Sequence, residues 1–239
     1  MTELYDMHCH ILPGIDDGAA TMEETMQTLH EMYRQGIRGV IVTPHYYPER
    51  YTPSARDVLE ILEQVRRQCE REQLDMTLLP GQECFYHTGL TEQLNRKEVL
   101  TLADSRYVLV EYDTDCPFFY IMTGIRQLQQ NGYIPILAHF ERYECLRNEK
   151  HLMEVRQQGC FLQMNFDTLL QKNPFLLPNR FRKLLRDGLV DFLGSDCHGL
   201  HFRPPRIDRA YQWIADHTDE TVCRQMLQTN VQNILFNRR

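Results

Sequence analysis

Short apolar stretches recur along the chain, and longer stretches with helical spacing separate them. We predict strands at residues 4–8, 37–43, 76–81, 106–112, 133–139, 160–165 and 189–195. Their nearly continuous apolar character is typical of parallel strands that are covered on both faces, because helices then bury both sides of the sheet. The segments between the strands are long enough for βαβ crossover connections.

The intervening segments carry signals for helix ends. Thr21 and Glu24 fit a capping box, the apolar residues that follow repeat at helical spacing, and Gly36 provides a stop. A second helix is predicted to begin with Thr52 and Pro53, since proline is favoured in the first helical turn. Further helices are predicted at residues 118–131, 147–158, 178–187, 205–217 and 221–236.

Repeated strand-then-helix units in a chain of 239 residues favour either a barrel or a doubly wound sheet. Barrels of this kind gather their functional side chains where the strands end, and the histidine and acidic residues of this chain follow the predicted strands. We therefore predict an α/β protein with an irregular, TIM-like (β/α)7 barrel of seven strands. The length suits a single domain over residues 1–239.

Every predicted strand except the sixth is followed by a histidine or an acidic residue. The carboxyl ends of parallel strands meet on one face of a barrel, so residues that are distant in sequence converge there. Because side chains alternate along a strand, the two histidines of the H-x-H at residues 8–10 point the same way. The residues expected to converge are His8, His10, Asp17, His45, Glu83, Glu111, His139, Asp196 and His198.

This set of nine candidate ligands exceeds what one cation binds. A zinc-like ion takes about four ligands and an octahedral ion about six, so the set predicts two or three divalent ions, and we expect three. Three such ions bring about six positive charges against the carboxylates of the set, which leaves a cavity that attracts phosphate. Mixed imidazole and carboxylate ligands suit Mn, Fe or Zn.

The composition narrows the class of protein further. The net charge is −7 and no basic cluster stands out, which argues against a nucleic-acid partner. No apolar run approaches the roughly 18 residues that span a bilayer, and the N-terminus lacks a secretory pattern, so we expect a cytoplasmic protein without membrane insertion. The eight cysteines are scattered, form no C-x-x-C pair and are expected to be reduced thiols.

Six segments of the sequence together resemble a known family. They are, in chain order, DMHCHILPGIDDG, VTPHYY, LLPGQECFY, LVEYD, ILAHFERY and GSDCHG. They resemble the polymerase-and-histidinol-phosphatase (PHP) superfamily, and within it the bacterial manganese-dependent protein tyrosine phosphatases of capsule and exopolysaccharide operons. The resemblance covers nearly the whole chain. It implies a PHP fold, hydrolysis of phosphotyrosine in a protein, a cluster of three metal ions, Mn above all, and a bacterial tyrosine kinase as the partner.

The resemblance also implies roles for individual residues. Arg142 and Arg203 match family arginines that grip the phosphate, and Asp16 matches a residue that forms the turn or supports the ligands. Tyr46 and Tyr47 stand where some relatives have basic residues, and both are candidates for lining a slot for an aryl ring. The implied ligands are His8, His10, Glu83 and Asp196 for a first ion, Glu83, Glu111 and His139 for a second, and Asp17, His45 and His198 for a third.

We weigh other interpretations of the same residues and reject the first of them, a cysteine-dependent mechanism. Cys197 and Arg203 have the C-x5-R spacing of thiol-dependent tyrosine phosphatases, but the residues between them lack glycine-rich character, and the neighbouring Asp196 raises the pKa of the thiol. Metal-dependent amidohydrolases also begin with H-x-H, but they carry a lysine where this chain has Glu111. Two alternatives remain. The substrate is a small phosphoester such as histidinol phosphate, or the protein is a metal-binding regulatory protein without activity. The oligomeric state is left open.

Overall fold

The computed structural model describes residues 4–173, 175 and 178–236. Strands and helices alternate along most of this length. The strands are β1 (Leu4–Cys9), β2 (Ile37–Val42), β3 (His45–Tyr46), β4 (Thr77–Leu79), β5 (Glu83–Phe85), β6 (Tyr107–Glu111), β7 (Ile134–Leu137), β8 (Phe161–Asn165) and β9 (Phe192–Gly194). The α-helices are α1 (Met22–Arg34), α2 (Ala55–Arg71), α3 (Leu90–Asn95), α4 (Phe118–Gln130), α5 (Glu149–Gln157), α6 (Phe166–Leu170), α7 (Pro178–Arg186), α8 (Ile207–His217), α9 (Glu220–Arg224) and α10 (Asn230–Phe236).

The strands pair in parallel and form two sheets, with the orders β1-β2-β4 and β3-β5-β6-β7-β8-β9. The predicted α/β class is confirmed, whereas the predicted count of seven strands is not, because the described residues form nine strands, three in the first sheet and six in the second. Prolines explain the difference, since Pro44 and Pro80 follow β2 and β4 and a proline has no N–H for the ladder. Pairing resumes just beyond, where His45 in β3 lies opposite Glu83 in β5.

The sheets curl so that the end of β9 lies beside β1. The backbone N–H of Asp196 donates to the carbonyl of His8 (2.8 Å), and the N–H of His10 donates to the carbonyl of Cys197 (2.8 Å). The curl encloses a small apolar core to which both sheets and α10 contribute; among its members are Tyr5, Met7, Ile41, Leu109, Ile136, Phe192 and Ile234. A larger core lies between the strands and the surrounding helices. This packing fixes the carboxyl ends of the strands next to one another.

The first helix has the predicted start. The side chain of Thr21 accepts a hydrogen bond from the backbone N–H of Glu24 at 3.2 Å. The second helix begins at Ala55, later than predicted, because Ser54 and Asp57 form a capping box in which each side chain accepts from the other's backbone N–H. The cap residue, and not the proline before it, therefore sets this boundary.

The remaining predicted helices are present, one of them in modified form. The predictions at 118–131, 147–158, 178–187 and 205–217 correspond to α4, α5, α7 and α8. In place of a single helix at 221–236, a π-helical segment separates α9 from α10. The short helices α3 and α6 were not predicted. Among the described residues, no helix is both long and apolar enough to cross a membrane.

Candidate metal centre

Four buried residues from three parts of the chain form the deepest group of candidate ligands. The Nε2 atom of His8 lies 3.2 Å from Glu83 Oε2, and the Nε2 atom of His10 lies 3.3 Å from the same oxygen and 3.4 Å from Asp196 Oδ1. Four ligands around one ion at about 2.1 Å are separated by about 3.4 Å when they are tetrahedral. These four side chains could therefore hold one metal ion.

A bulge in β1 includes His8, and His10 follows just beyond the end of the strand. Between Asp6 and Cys9 this strand has one more residue than the facing part of β2, so its local twist changes and its side chains are re-aimed. His8 and His10 lie on the same side, with their Nε2 atoms 3.2 Å apart, as the alternation of the strand predicts. Cys9 packs in the helix-facing core instead.

A second group shares Glu83 with the first. The Nδ1 atom of His45 lies 3.1 Å from Glu83 Oε2 and 3.1 Å from Glu111 Oε1, and these three atoms are buried without a hydrogen-bond partner. His139 lies beside them, with Nε2 2.8 Å from Glu83 Oε1 and 3.6 Å from Glu111 Oε2. The resemblance grouped only His139 with the two glutamates, whereas the structure places His45 there as well.

The third group lies nearest to solvent. Asp17 Oδ1 is 3.5 Å from His45 Nε2 and 3.4 Å from His198 Nε2, and the rings of His10 and His198 stack with their centroids 4.1 Å apart. The Asp17 side chain is 46% exposed, while the ring of His198 is buried. His10 and His45 thus face both this group and the deeper ones. Together with His139, which contacts Glu83 and Glu111, the nine predicted ligands lie in one site.

Hydrogen bonds to the remaining imidazole nitrogens hold the rings in place. Asp16 Oδ2 accepts from His10 Nδ1 (2.8 Å) and from the backbone N–H of His45 (3.0 Å). Gln163 Oε1 lies 3.0 Å from His8 Nδ1 and accepts from the backbone N–H of His139 (2.7 Å). Such partners fix the tautomer and leave Nε2 free to bind a metal.

Gln163 and Asn165 were missed by the sequence analysis. Gln163 Nε2 donates to Asn165 Oδ1 (2.9 Å), and Asn165 Nδ2 donates in turn to Asp196 Oδ2 (2.8 Å). The sequence pattern could have identified them, because they are the two polar residues, at alternate positions, of the otherwise apolar strand β8. The sixth predicted strand therefore contributes to the site after all, through supporting residues rather than through predicted ligands.

The electrostatics of the centre fit cations. Burial alone would raise the pKa of Glu83, but the nearby histidines hold it well below its usual range. Burial and Arg142 lower the pKa of His139, but its hydrogen bonds to Glu111 and Glu83 prevail and raise it to about 9. Without metal, protonated histidines would thus balance the negative charge of these carboxylates. The unpartnered buried atoms and this demand for positive charge fit divalent ions.

Two arginines lie where the centre meets solvent. Arg142 Nη2 lies 2.5 Å and Arg203 Nη1 lies 3.1 Å from Asp196 Oδ2, while the other oxygen of Asp196 faces the histidines. Both guanidinium side chains are 35% exposed. A ligand from solvent can therefore reach the two arginines and the candidate metal groups together.

The two tyrosines predicted to bind the substrate have different surroundings. Tyr46 is buried in the core, and its hydroxyl accepts a hydrogen bond from Gln93 Nε2 (2.8 Å). Tyr47 is half-buried, and its ring stacks on Phe85 with a centroid distance of 4.0 Å. Along β3 the side chains alternate, so Tyr46 points away from the side that His45 occupies.

The environment of Cys197 does not suit a cysteine-dependent phosphatase mechanism. Cys197 is fully buried, and burial raises the pKa of its thiol to about 12. A catalytic cysteine instead needs a lowered pKa and access to the substrate. Cys197 is one of seven cysteines whose side chains the structure describes, all of them free thiols.

Comparison with known sequences identifies similar proteins. A profile of the family described as "Capsular polysaccharide synthesis, CpsB/CapC" matches residues 4–236. The chain is 32% identical over 239 residues to tyrosine-protein phosphatase CpsB of Streptococcus pneumoniae, with 98% of each chain covered. It is 31% identical over 201 residues to tyrosine-protein phosphatase YwqE of Bacillus subtilis, with 84% of this chain and 79% of that protein covered.

Solved structures give a consistent result. A structure described as belonging to YwqE of Bacillus subtilis and CpsB of Streptococcus pneumoniae, "unique metal-dependent tyrosine phosphatases", superimposes with a TM-score of 0.89 at 29% identity and covers 99% of this chain and 96% of that one. A phosphotriesterase homology protein of Escherichia coli superimposes with a TM-score of 0.63 at 12% identity, covers 98% of this chain and 99% of that one, and shows the fold alone.

Proposed function

The chain belongs to the CpsB/CapC family of capsular polysaccharide synthesis, and from this membership we propose that it is a metal-dependent phosphatase that hydrolyses phosphotyrosine in a protein. The observation that carries the proposal is the contact of Arg142 and Arg203 with Asp196, a member of the deepest ligand group. Candidate metal ligands and phosphate-binding side chains thereby share one residue. We propose that residues 1–239 form one PHP-type domain, which is supported by the family match over 4–236.

The residues that would hold the metal ions are the nine of the three groups. We propose three divalent ions, of which Mn is preferred and Fe or Zn are alternatives. Bound there, such ions would supply Lewis acidity, which lowers the pKa of water and offsets the charge of phosphoryl oxygens. The number is supported by the three groups of donor atoms, and the choice of metal by the mixture of imidazole and carboxylate ligands.

The arginines have a separate task in this proposal. Arg142 and Arg203 bind and orient the phosphate, because a guanidinium group presents several N–H donors in a plane that matches phosphoryl oxygens. Asp196 holds both guanidinium groups through one oxygen and so fixes their position before substrate arrives. Donors preorganised in this way stabilise the charge that develops on the phosphoryl group.

The leaving group is the phenolate of tyrosine. Its conjugate acid has a pKa of about 10, so it departs more readily than an aliphatic alkoxide and makes little demand on a general acid. Of the two predicted tyrosines, we propose that Tyr47 contacts the aromatic ring of the substrate, which is supported by its half-buried position beside Phe85. The proposed partner is a bacterial tyrosine kinase of the capsule pathway in its phosphorylated form.

The proposal is tested by removing the metals with a chelator and restoring Mn, Fe and Zn separately. A phosphotyrosyl peptide, histidinol phosphate and a lactam are then assayed side by side. We expect little turnover by the stripped protein and recovery on the phosphopeptide with at least one ion. Turnover of histidinol phosphate alone would overturn the substrate assignment.

Two controls separate metal chemistry from thiol chemistry. The variant Asp196→Ala removes a ligand of the deepest group and should be nearly inactive with every ion. Alkylation of the native protein should leave activity unchanged, because Cys197 is buried. Activity that survives the chelator and is lost on alkylation would contradict the proposal.

A further inference from the structure

A cavity of about 450 Å³ opens next to the proposed phosphate site. Its wall includes Arg142 and Asn165, two of the side chains that hydrogen-bond to Asp196 Oδ2. A substrate whose phosphate is bound by Arg142 therefore lies at the edge of this cavity. The volume falls within the range of ligand pockets, roughly 300–1,000 Å³.

Two carboxylates of the wall each have one oxygen without a hydrogen-bond partner in the described part of the chain. Glu141 accepts through Oε1 from the backbone N–H of Asn165 (3.0 Å) and the hydroxyl of Thr168 (2.9 Å), whereas its buried Oε2 has no partner. Asp167 Oδ2 lies 3.6 Å from Arg206 Nη1, and its buried Oδ1 has no partner. Because unpaired buried acceptors are costly, the wall favours a ligand with N–H donors.

The charge of the wall favours a cationic donor. The carboxylates of Glu141, Glu144 and Asp167 line the cavity together with the guanidinium groups of Arg142 and Arg147. Arg142 is already paired with a carboxylate of the centre. A phosphate bound there would engage it further, so the rest of the wall presents more negative than positive charge to the neighbouring part of a substrate.

We propose that this cavity is a specificity subsite for the side chain of a Lys or Arg next to the phosphotyrosine of the substrate protein. The inference rests on the proposed phosphatase function and adds a preference for sequence around the phosphorylated residue. The cationic group donates to Glu141 and Asp167, and its aliphatic stem packs against Phe175 and Phe181, which also line the cavity. Phe175 is 86% exposed and so is accessible to such a side chain.

The test uses Mn-loaded protein and phosphotyrosyl peptides that differ only in Lys, Ala or Glu beside the phosphotyrosine, on either side. We expect kcat/KM to decrease in the order Lys, Ala, Glu on at least one side, by up to about fivefold per step, as for an ion pair near the surface. Equal values for the three peptides would overturn the subsite alone. Failure to hydrolyse these peptides and para-nitrophenyl phosphate would overturn the phosphatase function itself.

Variants of the wall make the test specific. Asp167→Lys should invert the order of kcat/KM, so that the Glu peptide becomes the best substrate. Asp167→Asn should reduce the differences in kcat/KM between the three peptides. Asp115→Lys is the matched control, because Asp115 is exposed on the loop before α4 and does not line the cavity. It should retain the order of the native protein. An unchanged order in both Asp167 variants, each shown to be folded by circular dichroism, would contradict the proposal.

Discussion

Asp196 connects the two parts of the proposed site through its two oxygens. Oδ1 lies 3.4 Å from His10 Nε2, whereas Oδ2 accepts from Arg142 and Arg203. The same carboxylate therefore sets the distance between the candidate ligand groups and the arginines that are proposed to bind phosphate. Metal binding and phosphate binding can be separated only by changing residues that touch one part and not the other.

Arg142→Gln makes this separation. The guanidinium group is proposed to bind phosphate and belongs to none of the three ligand groups, so we expect kcat/KM on a phosphotyrosyl peptide to fall by about 10²–10³ with unchanged metal content. Arg34→Gln, at an exposed position at the end of α1, is the control and should leave both unchanged. Metal loss in Arg142→Gln would contradict the separation.

Asp16→Ala tests the metal-binding part of the proposed site. Its carboxylate accepts from His10 Nδ1 and from the N–H of His45, so its removal frees both residues without deleting a predicted ligand. Loss of such an orienting partner weakens metal binding by about 10- to 100-fold. Titration of the stripped protein with Mn measures this, and Asp16→Asn should recover part of the affinity. An unchanged affinity in Asp16→Ala would show that the ring of His10 needs no support.

At the scale of strands and helices, the sequence predicts which residues lie at the strand ends, but it does not predict the irregular pairing of the strands there. Alternation in H-x-H predicted that His8 and His10 face one way, and the apolar runs located most strands. The strand breaks follow from Pro44 and Pro80, which the sequence shows but the prediction did not use, whereas the bulge in β1 depends on pairing with β2, which no local pattern contains. The supporting role of Gln163 depends on contacts with distant residues in the same way.

Backbone conformation at two strand ends was equally beyond the sequence. His139 and Asp196 have φ angles of 30° and 50°, in the left-handed region that residues other than glycine seldom adopt. Each such conformation costs on the order of 1–3 kcal/mol and persists only where surrounding contacts hold it. That both residues are predicted ligands places the strain in the site itself.

Gly18→Ala tests the loop that carries Asp17. A Cβ atom at Gly18 would lie 2.0 Å from the carbonyl oxygen of His10, so the loop must shift and Asp17 moves with it. We expect the variant to bind one metal ion fewer, as measured by elemental analysis after dialysis. Gly132→Ala is the control, since its Cβ would meet nothing within 4 Å. The free energy of unfolding of Gly132→Ala should fall by about 1 kcal/mol, because alanine is strained at the positive φ of this position, while the metal content should not change.

For the whole molecule, the centre links stability to pH. The pKa of His139 rises from 6.5 to about 9 in the folded metal-free protein, so folding is favoured by its protonation. That contribution is fully present below pH 6.5 and is lost as the pH rises through 9. We expect the contribution of His139 to the free energy of unfolding of the stripped protein to fall by about 3 kcal/mol over this interval, measured by urea denaturation of the native protein and of His139→Asn.

The metal-loaded protein should behave in the opposite way. A histidine that binds a metal is neutral, so raising the pH removes the competing proton and strengthens metal binding. The free energy of unfolding of the loaded protein should therefore stay level or rise between pH 6.5 and 9, and His139→Asn should flatten the decline of the stripped protein. Parallel declines with and without metal would contradict the assignment of His139 to the centre.

The central claim is that residues from nearly every strand end hold a common cluster of divalent cations. A crystal structure of the Mn-loaded protein, with anomalous diffraction measured at the manganese edge, tests it directly. We predict three anomalous peaks among the nine ligand side chains, with Glu83 between two of them. Absence of peaks at this site, or peaks bound only by other residues, would contradict the account.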